Sequence, residues 1–292
     1  MHNACIGRGT IGINSLYLIN KNLLMKVLVI GAGNMGLAYA KALVKSEFLS
    51  NHNLMISDTS AEKTEELKKI SRFDVFTNLS DCLPKADIIF IAVKPYHTDE
   101  LFEELKPMMS PDQIVISIMA GVTIQSMKDG LGITKVVRAM PNLPAQVGKG
   151  LTSFTASDEV SRLELSTVEN LLDTTGRSVR LDTENDVDAS TGISGSGPAY
   201  VFYFMHSMME AAKKMGFSVH DSKVLVGTTF EGAVELFNKS DLSPEGWMKR
   251  VASKGGTTRA ALDSMEDNNI KQLIEDAAYA AFNRAVELGK ES

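Results

Sequence analysis

Short β-branched runs closed by glycine or proline alternate with stretches of helical spacing through the first half of the chain. Lys26–Ile30, Leu54–Ser57, Ala86–Val93, Gln113–Met119 and Lys135–Met140 are each apolar almost throughout, the pattern of strands buried on both faces. Leu37–Val44 carries Ala and Leu at helical spacing, and a polar helix rich in Glu and Lys opens at Ser60 and runs to about Ile70. Strands separated by helical stretches imply crossover connections, and so a doubly wound parallel sheet with helices on both faces. After a last short run, Val179–Leu181, the β-branched segments stop. Helical periodicity then covers Pro198–Met215, Asp221–Asn238, Ser243–Ala252, Thr257–Met265 and Ile270–Leu288, with Ser243-Pro244 an N-cap followed by proline at the first helical position. The expected organisation is an α/β Rossmann-like domain over 25–185 and an all-α domain over 186–292.

Residues 1–24 read differently. They hold no Asp or Glu, and the apolar run Leu16–Leu24 is interrupted by Asn20, Lys21 and Asn22, too short and too polar to span a membrane. They are poor in Arg and Ser for a transit peptide. With Met25 just before the first strand, the segment reads as an extension from an upstream start, outside the fold.

One helix is too apolar for its surroundings. Tyr200-Val201-Phe202-Tyr203-Phe204-Met205, with Met208 and Met209, covers nearly its whole circumference. Such a helix is buried, and a unit of roughly a hundred residues cannot enclose it alone. It is expected in a subunit interface of a homo-oligomer, rather than as the centre of one chain.

Composition narrows the partners. Hydrophobic residues make up 44% and charged residues 23%, with a net charge of −6. That balance suits a globular cytoplasmic protein, and it excludes a general nucleic-acid binder, which needs a basic face. No segment has transmembrane length. The two cysteines, Cys5 and Cys82, are expected to be free thiols in a reducing compartment. Five scattered histidines and no CxxC or HExxH pattern predict no metal site.

The chemistry begins at Gly31-Ala32-Gly33-Asn34-Met35-Gly36, a GxGxxG that follows a buried strand and opens a helix. Gly31 permits the tight turn, Gly33 lets a pyrophosphate approach the backbone, and Gly36 lets the helix pack on the sheet. The helix N-terminus adds N–H groups and a positive dipole end for the phosphates. A nicotinamide dinucleotide is the expected cofactor. Asp58 ends the second strand, 22 positions after Gly36. A carboxylate there binds the adenosine ribose and repels a 2′-phosphate, which favours NADH over NADPH; it can equally cap the following helix.

Three further turns stand out: Met140-Pro141-Asn142-Leu143-Pro144, Ser194-Gly195-Ser196-Gly197-Pro198 and Ser253-Lys254-Gly255-Gly256-Thr257-Thr258. The last two precede helices and could present N–H groups and hydroxyls to a small anion such as a carboxylate. Singly they are helix caps; two in one domain point to a substrate pocket. No Ser/His/Asp set or carboxylate pair accompanies them. Carbonyl reduction benefits from a positioned acid. A protonated C=N bond already carries its proton, and a hydroxyl such as that of Thr258 suffices to orient it.

These motifs together give the chain its resemblance. GAGNMG at 31–36, AVKP at 92–95, MPN-P at 140–144, SGSGPAY at 194–200 and SKGGTT at 253–258 make residues 25 to about 288 resemble the pyrroline-5-carboxylate reductase family. The resemblance implies NAD(P)H-dependent reduction of 1-pyrroline-5-carboxylate to proline. It places Ala92, Val93, Lys94 and Pro95 along the cofactor and Asn142 near the nicotinamide ribose. It places Ser253, Gly255, Gly256 and Thr257 on the substrate carboxylate, and Thr258 on the ring nitrogen. It also implies an intertwined dimer, with dimers assembling into a decamer in some members. Three positions depart from the family's habit. Leu143 stands where a threonine is usual, Lys254 where a proline is usual, and Asp58 where a small polar residue or Asn is common. Many members favour NADPH, whereas Asp58 favours NADH. The competing readings are a β-hydroxyacid-type or other imine reductase, which needs a mid-helix lysine that Lys213 and Lys214 come too late to supply, and a non-catalytic dinucleotide sensor.

Overall fold

The computed structural model describes residues 25–46, 48–49, 53–69 and 72–291, so the expected N-terminal extension and Cys5 lie outside the described residues. Two compact units are formed. One runs up to Gly195 and includes the C-terminal segment from Arg284; the other is Ser196–Asn283.

The first unit is built on an eight-stranded sheet of β1 Val27–Ile30, β2 Leu54–Ser57, β3 Asp74–Phe76, β4 Ile88–Ile91, β5 Ile114–Ser117, β6 Val136–Pro141, β7 Gly150–Ala156 and β8 Gly176–Arg180. Its order is β3-β2-β1-β4-β5-β6-β7-β8. The first six strands are parallel and follow the 3-2-1-4-5-6 order of the dinucleotide-binding fold. Strand β7 departs from the parallel sheet expected from the crossovers. It returns antiparallel to β6, with Pro141 opposite Thr152, while β8 pairs with it in parallel. The β6–β7 link is a short 3-10 turn, Leu143–Val147, ended by Gly148. A link that short reverses the chain; it cannot cross over.

Helices α1 Asn34–Lys45, α2 Ala61–Lys68, α3 Thr98–Leu105, α4 Ile124–Leu131, α5 Arg162–Asp173 and α6 Glu184–Ser190 complete this unit. The strands bury both faces, as their unbroken apolar runs require. Val27, Val29, Ile88 and Phe90 enter one core, and Leu28, Ile30, Ile89 and Ile91 the other. Tyr39 of α1 packs against Phe90, ring centroids 5.2 Å apart, and its hydroxyl pairs with Thr152 at 2.7 Å. Burial pushes the Tyr39 pKa up to about 12, against the lowering effect of that hydrogen bond. Cys82 is a free, buried thiol whose pKa burial raises to about 11, so it is held as the unreactive thiol.

Helix α6 lies across the seam expected near residue 185, within the first unit. Its anchor is Arg138 on β6, buried, with Nη1 3.0 Å from Glu184 and Nη2 paired with Asp188. Glu184 also accepts the Ile124 N–H at 3.0 Å. Burial raises the Asp188 pKa above its ordinary value, although Arg138 pulls it down. An acid with a raised folded pKa is held more tightly in its protonated form. Its stabilising contribution is present at low pH and declines as pH rises from the ordinary Asp pKa through the folded one. Arg138→Met, which strands two carboxylates, is expected to cost about 3–5 kcal/mol, whereas Asp188→Asn should cost about 1 kcal/mol or less, because Glu184 still neutralises the arginine. Urea unfolding of both variants checks the contrast; equal losses would refute it.

The second unit is helical: α7 Gly197–Lys214, α8 Val219–Asn238, α9 Pro244–Val251, α10 Thr257–Asp267 and the greater part of α11 Ile270–Glu291. The elements fall where the periodicity predicts them. Helix α7 buries none of its side chains: Val201, Phe202, Tyr203 and Met208 are exposed. Among the described residues no helix is long and apolar enough to cross a membrane, and no cluster of potential metal ligands is found.

Candidate functional site

Three neighbouring strands, β2, β1 and β4, end together. The Gly31 N–H donates to the Ser57 carbonyl at 2.7 Å, and the Ala92 N–H to the Ile30 carbonyl at 2.8 Å. These bonds carry the ladder one residue past the strands. Gly31, Asp58 and Ala92 thus stand side by side at the carboxyl edge of the sheet, where open α/β sheets bind ligands.

The three motif glycines do different physical work. Gly31 has φ +99°, and a Cβ there would lie 2.8 Å from the Ala92 carbonyl oxygen and 3.2 Å from Val93 Cγ1. Gly36 faces inward: a Cβ would lie 2.0 Å from the Gly31 carbonyl oxygen and 3.0 Å from Ala92 Cβ. Gly33 faces open space. It is the N-cap of α1 and contributes no side-chain bond there, and the Leu37 N–H is the first to reach back, to Gly33 O at 2.9 Å. The N–H groups of Asn34, Met35 and Gly36 are left without an intrahelical acceptor. A cradle of N–H groups at a helix start, with no Cβ at Gly33 to crowd it, fits a diphosphate.

Asp58 is not the cap of the helix that follows it. Its Oδ1 accepts the Ser60 N–H at 2.9 Å, and its Oδ2 accepts the Ala32 N–H at 2.8 Å. The cap of α2 itself is Ser60, whose Oγ accepts the Lys63 N–H. Asp58 therefore ties the glycine turn to the start of α2. Lys63, absent from the sequence-based set, lies 3.6 Å from Asp58 Oδ2.

Past β4, Val93 and Lys94 lead into a 3-10 turn at Pro95–His97. Asn142 begins the β6–β7 turn, and every part of its amide is used. Oδ1 accepts the Leu151 N–H at 2.9 Å, and Nδ2 donates to the Ser194 carbonyl and Oγ at 3.2 Å each. Asn142 thereby fastens the π-helical turn Thr191–Gly195, a form enriched at functional sites. Ser194 belongs to a motif seen in the sequence, but its bond across 52 positions is visible only in the structure. Leu143 is 48% exposed. A groove of about 750 Å³ shares Asn34 with the glycine turn, then runs along α1 past Lys41 and Lys45 opposite Ala145–Gly148.

In the helical unit, Ser253–Gly256 is a turn closed by the Gly256 N–H on the Ser253 carbonyl at 3.0 Å, with Gly255 at φ +73°. Gly256 caps α10 without a side-chain bond, and a Cβ there would meet Ser253 Oγ at 2.6 Å. Thr257 and Thr258 are the first residues of α10, Thr258 half-buried. The serine, the glycines and both threonines are thus gathered at one helix start. A left-handed third residue is the signature of a type II turn, whose second position proline favours. Lys254 occupies that second position. Lys254→Pro is expected to stabilise the protein by about 0.4–1 kcal/mol by restricting the unfolded chain, read as a raised melting temperature; a lower one would show that the Lys254 backbone is not proline-compatible.

The strand order and the glycine turn define a protein of the dinucleotide-binding Rossmann class. Comparison with known proteins narrows the class. Residues 184–288 match the family described as pyrroline-5-carboxylate reductase dimerisation, and residues 26–121 match one described as NADP oxidoreductase coenzyme F420-dependent. A pyrroline-5-carboxylate reductase of Pseudomonas aeruginosa is 33% identical over 91% of this chain and 97% of the relative. Pyrroline-5-carboxylate reductase 2 of Bacillus subtilis is 32% identical over 90% and 95%. Among solved structures, the Coxiella burnetii pyrroline-5-carboxylate reductase superposes with a TM-score of 0.85 at 30% identity, covering 91% of this chain and 98% of that one. The Plasmodium falciparum pyrroline carboxylate reductase with NADP bound gives 0.82 at 30% identity over the same shares. The chain belongs to the pyrroline-5-carboxylate reductase family.

Proposed function

We propose that this protein reduces 1-pyrroline-5-carboxylate to L-proline with NAD(P)H, the last step of proline biosynthesis. The observation that carries the reading is the pairing, on one chain, of a diphosphate-shaped glycine turn with the Ser253–Thr258 turn at the start of α10. Residues 25–185 serve as the dinucleotide domain and 186–292 as the substrate and dimerisation domain.

Gly31 to Gly36 hold the diphosphate by their N–H groups, Asp58 meets the adenosine ribose, Ala92 to Pro95 line the dinucleotide, and Asn142 stands near its nicotinamide ribose. When bound, the nicotinamide supplies a hydride. Ser253, Gly255, Gly256 and Thr257 hold the substrate carboxylate by N–H groups and hydroxyls at the positive end of α10. Thr258 hydrogen-bonds the ring nitrogen and keeps the C=N carbon oriented. The iminium brings its own proton, so no carboxylic acid or histidine is required as a proton donor. The proteins act as cytoplasmic dimers through the exposed apolar face of α7; light scattering at working concentration reads whether the dimers assemble further into a decamer.

NADH and NADPH oxidation, each followed with 1-pyrroline-5-carboxylate, tests the activity. Absence of turnover with both, despite cofactor binding, refutes it. Thr258→Ala is expected to lower kcat by about ten- to a hundredfold, the value of one hydrogen bond to a charged group, and to leave cofactor affinity intact. An unchanged kcat removes Thr258 from its role.

A further inference from the structure

The second strand of a dinucleotide fold ends where the adenosine ribose lies, and a carboxylate there ordinarily turns away a 2′-phosphate by repulsion. Asp58 is not an unopposed carboxylate. Its side chain is 10% exposed; each oxygen accepts one backbone N–H, from Ser60 and from Ala32, and Lys63 Nζ stands 3.6 Å from Oδ2. A carboxylate oxygen has two acceptor positions, so one on each oxygen is left for a ribose hydroxyl. The N–H donors spread the negative charge, and the ammonium opposes it directly.

Lys63 itself is poorly tied. At 3.6 Å the contact is an ion pair without a hydrogen bond. The lysine side chain is 51% exposed and carries its charge on a flexible four-carbon stem. It is placed by the first turn of α2, whose N-cap Ser60 accepts the Lys63 N–H. The lysine's root is therefore fixed to the same short segment that fixes Asp58, while its charged end can turn. A dianionic phosphate beside the ribose would attract it more strongly than a single carboxylate already shared with two N–H groups.

We propose that Lys63 is a specificity-determining residue that admits a 2′-phosphate next to Asp58, so that this chain accepts NADPH as well as NADH. The proposal rests on the NAD(P)H reading above and lifts the exclusion of NADPH that Asp58 alone suggests. In the NADH state the ammonium stays on Asp58. In the NADPH state it turns to the phosphate, and Asp58 keeps its two backbone donors.

The test is calorimetric binding of 5′-AMP and adenosine 2′,5′-bisphosphate, which differ only by the 2′-phosphate, to the full-length protein without substrate. Lys63→Met is expected to weaken the bisphosphate by about tenfold, as the loss of one charge near 4 Å predicts at intermediate dielectric, and to leave 5′-AMP nearly unchanged. Lys63→Arg is expected to keep most of the bisphosphate affinity. The bisphosphate preference of the wild type should also fall with added salt. Unchanged bisphosphate binding in Lys63→Met overturns the proposal, as does an equal loss for both nucleotides. A wild type that binds 5′-AMP but not the bisphosphate overturns it and leaves the dinucleotide reading standing; a wild type that binds neither overturns both.

Discussion

Gly36→Val is expected to abolish cofactor binding, while Gly33→Ala weakens it and leaves the fold untouched. The two glycines are three residues apart, yet their surroundings are opposite. At Gly36 the added Cβ would lie 2.0 Å from the carbonyl oxygen of Gly31, a residue whose N–H is held by the Ser57 carbonyl. Helix α1 would have to move off the sheet, dragging with it the N–H groups of Asn34 and Met35. Overpacking of this kind costs about 1–3 kcal/mol or more, and valine adds two methyl groups to the collision. At Gly33 the Cβ would enter open space, and the backbone, at φ −72° and ψ −177°, is one that alanine adopts freely. The only thing it can strike is a ligand. Thermal melting together with calorimetric titration of NADPH separates the cases. Gly36→Val should lose both stability and binding; Gly33→Ala should melt like the wild type and bind NADPH at least about tenfold more weakly, the loss of one charged hydrogen bond or more. A Gly33→Ala variant that binds normally would show that the diphosphate does not cross that residue.

The same contrast explains what could be read from the chain beforehand. Glycine spacing was legible because each glycine answers a local backbone requirement: positive φ at Gly31, contact across a few ångströms at Gly36. Apolar runs closed by such turns revealed β1, β2, β4, β5 and β6. Strand β7, Gly150–Ala156, escaped because it buries hydroxyls rather than branched alkyl groups. Thr152, Ser153 and Thr155 are all buried, and the polarity of Thr152 is matched by Tyr39, more than a hundred positions away. Nothing in the neighbourhood of Thr152 announces that partner. Strand β3, three residues at the sheet edge, is too short to carry a period.

The site divides along the same line. Asp58 was identifiable from its position after a strand, but its bond to the Ala32 N–H spans 26 positions. Lys63 sits among Glu and Lys residues of a polar helix, where charge alone distinguishes nothing. Asn142 was noticed for its motif; that its amide is spent on Leu151 and Ser194 follows only from the turn that brings them together. Local constraints are written into adjacent residues, whereas long-range satisfaction of buried polar groups is not.

Helix α7 allows a prediction of similar size, that Phe202→Glu yields monomers without activity. Phe202 is 58% exposed and Tyr203 is 71% exposed, on a helix with no buried side chain of its own. Across the described residues of Ser196–Asn283, Ser222 and Val226 are the ones that reach full burial. A helical unit that leaves Phe202, Phe217, Val234, Phe237, Met248 and Tyr279 in water has not removed enough apolar surface to offset the entropy of ordering the chain. A second copy offers the complementary apolar face, and the family match over this region is to a dimerisation unit. A glutamate at 202 would then have to be buried without a partner, at a cost of several kcal/mol for each copy in a twofold interface. Sedimentation at micromolar concentration should show the wild type as a dimer or larger and the variant as a monomer. The wild-type melting temperature should climb with protein concentration, and that of the variant should fall and lose this dependence. Leu163→Glu serves as the control: Leu163 is 66% exposed on α5 of the other unit, and its variant should keep both assembly and turnover. If Phe202→Glu remains dimeric and active, the apolar face of α7 is not where the copies meet, and the helical unit must gain its stability in some other way.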